Sequence, residues 1–378
     1  MNTKTLAFTF AALASTALAG DNFLVYFGTY TGAKTGSKGI YVSKFNAATG
    51  ELGTPEVAAE TGSPSFVAIH PSKKFLYSVG EMSTPGQKGG GVTAFSIALP
   101  SGMLTRINQV SSVTGGPCHI NLDATGKLAM VANYGGGSCA SYQVKEDGSL
   151  SEAASHHQHT GSSVNEKRQA GPHAHSVNIS PDNRFALVCD LGLDKVLIYK
   201  IDPATGKSEP HGEGKVPAGG GPRHLAFHPN GKFVFVNNEI TLTETVFAWD
   251  AEKGTLTEVQ TVSTIPEADR SQSGLSTAET RVHPNGKFVY VSNRGHDTIA
   301  VFTCDPATGK LELIQNANVE GKTPRNFNLD PTGRWCIAAH QGSNSVALFK
   351  VDQETGKLTF TGTKHEVGAP CCVRFLEL

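Results

Sequence analysis

The hydrophobic residues of this chain fall into short runs of β-branched, aromatic and small apolar side chains, and a polar turn precedes most of the runs. Runs of this length that are bounded by Gly, Pro, Asn and Asp predict β-strands. One kind of run recurs seven times at intervals of roughly 50 residues, which indicates a repeat architecture. The equivalent positions in the seven copies are Leu24, Phe75, Leu128, Phe185, Phe233, Phe288 and Trp335.

Further strands flank this run in each repeat. Around Phe233, the segment GPRHLAFHP precedes GKFVFVNNE, and ETVFAWD follows before a turn and a short outer strand. A counterpart of GPRHLAFHP precedes each of repeats two to seven, but the seventh copy is the C-terminal tail APCCVRFLEL. The first strand of repeat one is therefore supplied by the other end of the chain, as in the ring closure of a β-propeller.

The pattern thus predicts an all-β fold, a seven-bladed β-propeller whose ring is closed by the N- and C-terminal strands in one blade. A β-sandwich would also contain many short strands, but seven copies in phase with a shared terminal blade favour the propeller. The composition agrees, because 42 glycines and only 17% charged residues suit strands joined by turns. It excludes long helices rich in Ala, Glu, Lys and Leu.

The first nineteen residues have the pattern of a signal peptide. Lys4 precedes an apolar stretch over residues 5–18, and Ala17-Leu18-Ala19 is a small-x-small cleavage site. The stretch is too short to span a bilayer. We expect cleavage after Ala19 and export to the periplasm or outside the cell, which leaves residues 20–378 as a single domain.

Charge and cysteine content narrow the function further. The 32 basic and 33 acidic residues give a net charge of −1, so no electrostatic signature of nucleic-acid or acidic-membrane binding is present. The seven cysteines are odd in number and lie mostly in strand-like runs, where Cys acts as a small hydrophobic residue. They do not form a disulfide framework, although the pattern leaves room for one disulfide in an oxidising compartment.

The phase of the repeats indicates which residues face the central channel of the propeller. The first strand of each blade lines that channel, and the second strand runs back to the same mouth. Counting along the first strands predicts one ring, made of Ser65, Cys118, His175, Arg223, Ala278, Arg325 and Cys371. Counting along the second strands predicts another ring at the same mouth, made of Tyr30, Glu81, Tyr134, Leu191, Glu239, Arg294 and Gln341.

Four of these residues carry the candidate chemistry: His175, Arg223, Glu239 and Arg294. Arginines at a concave surface recognise a carboxylate or phosphate, and they can also stabilise an oxyanion at a carbonyl. A carboxylate beside them can act on water, and His can transfer a proton near neutral pH. Together they fit the addition of water to an ester carbonyl, or a proton transfer beside a carboxylate. The alternative is that the pairs are structural ion pairs between blades.

Other motifs do not indicate a further catalytic or metal site. No G-x-S-x-G motif is present, so covalent catalysis by a serine is not indicated. Five histidines lie close together, but no H-E-x-x-H motif or acidic ligand accompanies them, and we predict no metal site. They are His156, His157, His159, His173 and His175.

The sequence resembles the propeller-type lactonase family, which includes 6-phosphogluconolactonase and carboxymuconate cyclase. The resemblance covers almost all of the chain after residue 19 and rests on stretches such as GPCHINLD, VANYGGGS, GPHAHSVNISPD, VYVSNRGHDTIAVF and TPRNFNLDPTG. It implies that His175, Arg223, Glu239 and Arg294 are catalytic. It also offers His119, Asn133, Arg281 and Arg325 as substrate-binding residues, and it implies no metal or other cofactor.

The resemblance further implies hydrolysis of a sugar lactone to its aldonic acid, with 6-phospho-D-glucono-1,5-lactone giving 6-phosphogluconate as the favoured case. The expected partner is a small anionic lactone, with no nucleic acid and no membrane after signal cleavage. Because export would separate the protein from cytoplasmic sugar phosphates, an unphosphorylated aldonolactone is an alternative. A cycloisomerase acting on a muconate-type dicarboxylate and a non-catalytic ligand-binding propeller also stay open. The sequence carries no signal of an oligomeric state.

Overall fold

A computed structural model describes residues 20–81 and 90–378 of the protein. The predicted signal peptide, residues 1–19, lies outside the described residues. The rest forms seven antiparallel sheets, one for each sequence repeat, arranged as the blades of a propeller. Across the described ranges, the helical structure is a single 3₁₀ turn, Glu267–Asp269, and no helix is long and apolar enough to cross a membrane.

The strands follow the chain blade by blade. Blade 1 contains β1 (Asn22–Thr29), β2 (Gly39–Asn46), β3 (Glu51–Leu52), β4 (Glu56–Glu60) and the last strand, β29 (Pro370–Glu377). Blade 2 contains β5 (Val67–Ile69), β6 (Phe75–Gly80), β7 (Gly91–Ala98) and β8 (Met103–Ser111). Blade 3 contains β9 (Pro117–Leu122), β10 (Leu128–Asn133), β11 (Ser138–Val144) and β12 (Leu150–Gln158). Blade 4 contains β13 (Ala174–Ile179), β14 (Phe185–Asp190), β15 (Lys195–Asp202) and β16 (Lys207–Lys215).

The remaining blades repeat this order. Blade 5 contains β17 (Pro222–Phe227), β18 (Phe233–Asn238), β19 (Thr243–Asp250) and β20 (Thr255–Ser263). Blade 6 contains β21 (Ser276–Val282), β22 (Phe288–Arg294), β23 (Thr298–Cys304) and β24 (Leu311–Asn318). Blade 7 contains β25 (Pro324–Leu329), β26 (Trp335–His340), β27 (Ser345–Val351) and β28 (Leu358–Glu366).

The ring closes within blade 1, and this confirms the prediction from the repeats. Strand β29 pairs antiparallel with β1, and Tyr26 lies opposite Arg374 in the register. The C-terminal strand thus takes the innermost place in blade 1, which the first strand of the repeat takes in every other blade. Because the closure is a complete strand ladder, the two ends of the domain hold each other in the ring.

The hydrophobic core lies between neighbouring blades. The residues of strand β1 are apolar at successive positions because both faces of the strand pack against a neighbouring blade. Leu24 and Tyr26 belong to a buried cluster with blades 2 and 3, whereas Phe23, Val25 and Phe27 pack with apolar side chains of blade 7. Burying a side chain of this size contributes about 1.5–3 kcal/mol, so each inter-blade contact stabilises the ring.

Hydrogen bonds between blades supplement this core. The buried Tyr77 hydroxyl donates to the carbonyl oxygen of Gly148 in the outer turn of the next blade, at 2.9 Å. Gly148 has φ of +82°, and a Cβ at this position would lie 2.4 Å from the Phe75 ring. Glycine is therefore required there both by conformation and by space. Equivalent hydrogen bonds run from the Tyr26 hydroxyl to the carbonyl oxygen of Gly102 and from the Tyr290 hydroxyl to that of Gly356.

All seven cysteines are buried thiols, and none of them forms a disulfide. The disulfide that the sequence left open is therefore not formed in this structure. Burial raises the pKa of thiols such as Cys118 and Cys139, which makes them poorly reactive. Their role is packing within strands.

Candidate active site

Six of the seven residues in the first predicted ring lie at interruptions of the ladder between the two inner strands of a blade. The β13–β14 ladder is interrupted at His175, the β17–β18 ladder at Arg223 and the β25–β26 ladder at Arg325. Equivalent interruptions fall at Cys118, at the Ala278–Glu279 pair and at Cys371. A bulge leaves one residue out of the ladder and re-aims its side chain.

A proline directly before most of these residues explains the local irregularity. Pro117, Pro222, Pro324 and Pro370 each precede a ring residue and stand at the start of their strand. Proline has no N–H to donate to the ladder, so it is confined to strand ends and bulges. Proline therefore accounts for the irregularity in these four blades, whereas the interruptions at His175 and at the Ala278–Glu279 pair occur without one.

The two predicted rings meet at a cavity of about 210 Å³. This volume is small beside the ~300–1,000 Å³ of pockets that take drug-sized ligands, and it suits a compact metabolite. The structure brings His175, Arg223, Glu239 and Arg294 together at this mouth. The cavity itself is lined by Glu81, Cys118, Tyr134, Arg168, His175, Glu239, Arg294 and Arg325.

Glu239 is the centre of an arginine cluster. Its Oε2 lies 2.9 Å from Arg294 Nη2 and 3.0 Å from Arg223 Nε, and its Oε1 accepts a hydrogen bond from Arg168 Nη2 at 2.5 Å. The side chains of Glu239, Arg223 and Arg294 are 7%, 2% and 14% exposed, so these charges interact through the protein more than through water. One carboxylate therefore holds three guanidinium groups in place.

The cluster sets the protonation of its members. Burial alone would raise the pKa of Glu239, but the charges of Arg294 and Arg223 outweigh it and hold that pKa well below its usual range. Burial lowers the pKa of Arg294 to about 9, with Glu239 opposing the change. Both groups are consequently charged at neutral pH. A carboxylate with so low a proton affinity is a weak general base.

His175 is buried and neutral. Burial lowers its pKa well below the usual value, and the charge of Arg223 lowers it further. Its ring centroid lies 5.3 Å from that of Tyr134, edge to face, and 5.3 Å from that of His224. A neutral imidazole in this position can exchange hydrogen bonds with a ligand, but it is not a charged acid at pH 7.

A second polar group contains Tyr30, Glu81 and Arg325. Arg325 Nη2 donates to the Tyr30 hydroxyl at 3.0 Å, and that hydroxyl donates to Glu81 Oε2 at 2.6 Å. The Arg325 guanidinium also lies over the Tyr30 ring, 5.3 Å from its centroid. These contacts fix Arg325 without a carboxylate within 4.0 Å among the described residues.

A narrow extension continues from the cavity into the channel. Its volume is about 10 Å³, and it shares Glu81, Cys118, His175 and Arg325 with the larger cavity. Ser65, with its buried hydroxyl, and Tyr30, Phe66, Arg223, His224 and Cys371 complete the lining. Formally, the two cavities together present four guanidinium groups against two carboxyl groups, which favours an anionic ligand.

The four residues that the resemblance offered for substrate binding are dispersed. Only Arg325 lines the cavities. The Asn133 amide donates at 2.9 Å to the carbonyl oxygen of Ser112, in the connection between blades 2 and 3. Arg281 pairs with Glu279 at 3.2 Å, and the His119 ring packs on Phe66 with centroids 4.0 Å apart. The geometry thus gives His119, Asn133 and Arg281 structural contacts in the channel wall.

Sequence reasoning did not identify Arg168, Glu81 and Tyr30 as functional residues. Arg168 lies in the connection between β12 and β13, outside the repeat, so periodicity carries no signal for it. That connection is anchored by Gln169, which donates to Leu191 O at 2.9 Å. Tyr30 and Glu81, by contrast, occupy the ring position of Glu239 in other blades, and this equivalence was the available signal.

The histidine-rich segment belongs to other contacts. At the junction of blades 3 and 4, His159 contacts Asp190 at 2.6 Å and the Tyr199 hydroxyl at 2.9 Å, and His157 contacts Ser208. In the part of the chain that the structure describes, no three His, Cys, Asp or Glu residues are arranged to hold a metal ion.

The fold and the site together define a β-propeller with a small axial cavity that is lined by arginine, histidine, tyrosine and carboxylate side chains. This chain belongs to the family described as lactonase, 7-bladed β-propeller, whose model matches residues 24–375. The resemblance that the sequence motifs indicated is thereby confirmed.

Relatives match along most of the chain. The chain is 36% identical to 6-phosphogluconolactonase of Bacillus subtilis, over 94% of this chain and 99% of that protein. It is 34% identical to 6-phosphogluconolactonase of Formosa agariphila, over 81% of this chain and 86% of that protein. The solved structure of the periplasmic gluconolactonase of Pseudomonas aeruginosa is 32% identical with a TM-score of 0.86, covering 94% of this chain and 99% of that one.

Proposed function

We propose that this protein is a carboxylic ester hydrolase that opens a sugar lactone to its aldonic acid, with 6-phospho-D-glucono-1,5-lactone as the favoured substrate. The observation that carries the proposal is the small axial cavity in which guanidinium groups outnumber carboxyl groups. Relatives named 6-phosphogluconolactonase and gluconolactonase support lactone hydrolysis as the reaction class.

The arginines supply the electrostatic part of the reaction. Attack on a lactone carbonyl places negative charge on its oxygen, and preorganised donors aimed at that oxygen lower the barrier. Arg294 uses Nη2 for Glu239 and for Thr277 O. Among the described residues, the hydrogens on its Nη1 have no protein acceptor, so they are available to a carbonyl or phosphate oxygen.

Glu239 has a positioning role in this proposal. The sequence suggested that it activates water, but its low pKa makes it a weak base and its two oxygens already face three arginines. Its carboxylate orients the guanidinium groups of Arg223 and Arg294 toward the cavity. His175, being neutral, offers the lactone a hydrogen bond at the same mouth.

Two features of the protein favour different substrates. The excess of arginines favours a phosphorylated lactone, because guanidinium binds phosphate through paired hydrogen bonds. The predicted signal peptide favours an unphosphorylated aldonolactone, as does the periplasmic gluconolactonase among the similar structures. We propose export for this chain on the same grounds.

Proton release at neutral pH tests the proposal, with freshly made 6-phosphogluconolactone and gluconolactone compared after subtraction of the enzyme-free rate. We expect acceleration of at least one lactone. In Arg294→Gln the rate should fall roughly 100-fold, whereas Arg106→Gln on the exposed edge of β8 removes a guanidinium without effect. No acceleration of either lactone would refute the proposal and favour a cycloisomerase, detected by muconate absorbance, or a non-catalytic binder.

A further inference from the structure

We propose that Glu81 is the general base of lactone hydrolysis and that the narrow extension of the cavity holds the attacking water. This inference rests on the proposed function and names a residue that the sequence motifs did not single out. It stands on three features: the size and lining of the extension, the hydrogen bonds of Glu81, and the contrast between Glu81 and Glu239.

The extension has the size and polarity of a site for one water molecule. Its volume of about 10 Å³ is close to the minimum that a single water occupies, and a buried water needs two to four polar partners. Ser65 Oγ is buried in its wall and has no hydrogen-bond partner in the described residues. Glu81, His175 and Tyr30 supply further polar atoms around the same space.

Tyr30 fixes Glu81 as a hydrogen-bond acceptor. Arginine can only donate, so the Tyr30 oxygen accepts from Arg325 and its single hydrogen is directed to Glu81 Oε2. Burial raises the pKa of Tyr30 well above its usual value, so the phenol keeps this hydrogen. The backbone N–H of Glu81 donates to Ser63 O at 3.1 Å, which holds the main chain at this point.

The second carboxylate oxygen distinguishes Glu81 from Glu239. Three arginines occupy both oxygens of Glu239. Glu81 accepts from one neutral hydroxyl, and no Lys or Arg nitrogen lies within 4.0 Å of it in residues 20–81 and 90–378. Its Oε1 thus has no protein donor among these residues, and Glu81 lines both cavities, where a water and a lactone would meet.

The reaction step balances with these groups alone. Water in the extension transfers one proton to the Glu81 carboxylate while its oxygen forms a bond to the lactone carbonyl carbon. The tetrahedral intermediate then collapses, the bond between that carbon and the ring oxygen breaks, and the ring oxygen takes the proton back from Glu81. The product is the open hydroxy acid, and its ionisation releases the proton that is measured.

The test compares Glu81→Gln and Glu81→Ala with the unaltered protein in the proton-release assay. Loss of a general base lowers kcat by about 10²–10⁴-fold, and we expect KM to change less than the kcat does. Formate should restore part of the kcat of Glu81→Ala, because it fits the space left by the side chain. It should not restore Glu81→Gln, whose amide fills that space. Glu152→Gln, on the exposed face of β12, is the matched control and should keep full activity.

The outcomes separate this inference from the proposed function. If the unaltered protein opens a lactone but Glu81→Gln keeps its kcat, the role of Glu81 is refuted and the proposed function stands. The same holds if formate accelerates Glu81→Ala no more than Glu81→Gln. If the unaltered protein opens no lactone, both proposals fall. A merely structural role for Glu81 would lower the melting temperature without producing rescue by formate.

Discussion

Replacing Glu239 with Gln removes the negative charge that holds three arginines together. The amide keeps the size of the side chain, but its nitrogen is a donor and would face the N–H groups of Arg223 or Arg294. Two buried guanidinium groups would then repel each other without a carboxylate between them. We therefore expect a loss of both stability and activity in Glu239→Gln.

The size of the stability loss follows from burial. Breaking a buried ion pair by removing one partner costs about 3–5 kcal/mol, and the side chains of Glu239, Arg223 and Arg294 are all less than a sixth exposed. Arg168 is 41% exposed, so its pair adds little to the loss. A domain of this size has an unfolding entropy of roughly 0.7 kcal/mol per kelvin. The melting temperature should fall by about 4–7 °C.

The loss should also depend on pH. The pKa of Glu239 is lower in the folded than in the unfolded state. Its ionised form therefore stabilises the fold above about pH 4.5, the usual value for the unfolded chain. This stabilisation is lost as the pH falls toward the lower folded-state pKa. The gap in melting temperature between the two proteins should be constant from pH 7 to 5 and should narrow by pH 3.

Circular dichroism melts across this range, paired with lactone assays at pH 7, provide the measurement. Misplaced arginines should lower kcat/KM by roughly 100-fold. Equal melting temperatures at pH 7 would refute the assignment of Glu239 as the anchor of the cluster. A gap of unchanged size from pH 7 to pH 3 would refute its charge as the cause.

Three further predictions use other parts of the structure. Arg294→Lys keeps the charge and can still contact Glu239, but it loses the second guanidinium nitrogen, Nη1, which has no protein acceptor among the described residues. The value of kcat/KM should therefore fall at least about tenfold, and activity within twofold of the unaltered protein would contradict this. Tyr77→Phe removes the hydroxyl that is hydrogen-bonded to Gly148 and should lower the free energy of unfolding, measured in urea, by roughly 1–3 kcal/mol. An unchanged urea midpoint would argue against that hydrogen bond. All seven cysteines are buried thiols. A thiol reagent should therefore label none of them in the native protein and all seven in guanidinium chloride. Labelling of two or more thiols in the native protein would contradict their burial.

The candidate site was predicted from the sequence where it follows the repeat. The phase count placed His175 and Arg223 in one ring and Glu239 and Arg294 in another, and the structure brings the four to one mouth. The count works because each strand carries the same offset from turn to channel. The count also placed Tyr30 and Glu81 in the second ring, but the type of residue alone does not indicate a functional role until its neighbours across the ring are known.

The remaining parts of the site depend on distances that no repeat specifies. Arg168 reaches Glu239 from a connection outside the repeat, where the chain path is set by anchors such as Gln169. The sequence suggested a base in Glu239. Nearby arginines lower the pKa of this carboxylate, and our proposal therefore gives it a positioning role. Such electrostatic effects depend on separations of a few ångströms, which sequence patterns do not resolve.

The sequence by itself determined the number of blades, the blade shared by the two chain ends and the strand positions that meet the channel. These properties follow from the repeat of roughly 50 residues and from turn residues at fixed positions within it, which are visible along the chain itself. Only the tertiary structure decided the width of the cavity, the partners of each charged group and the different environments of Glu81 and Glu239. Those properties arise between blades that are distant in sequence, where bulges, loops and through-space charge act together.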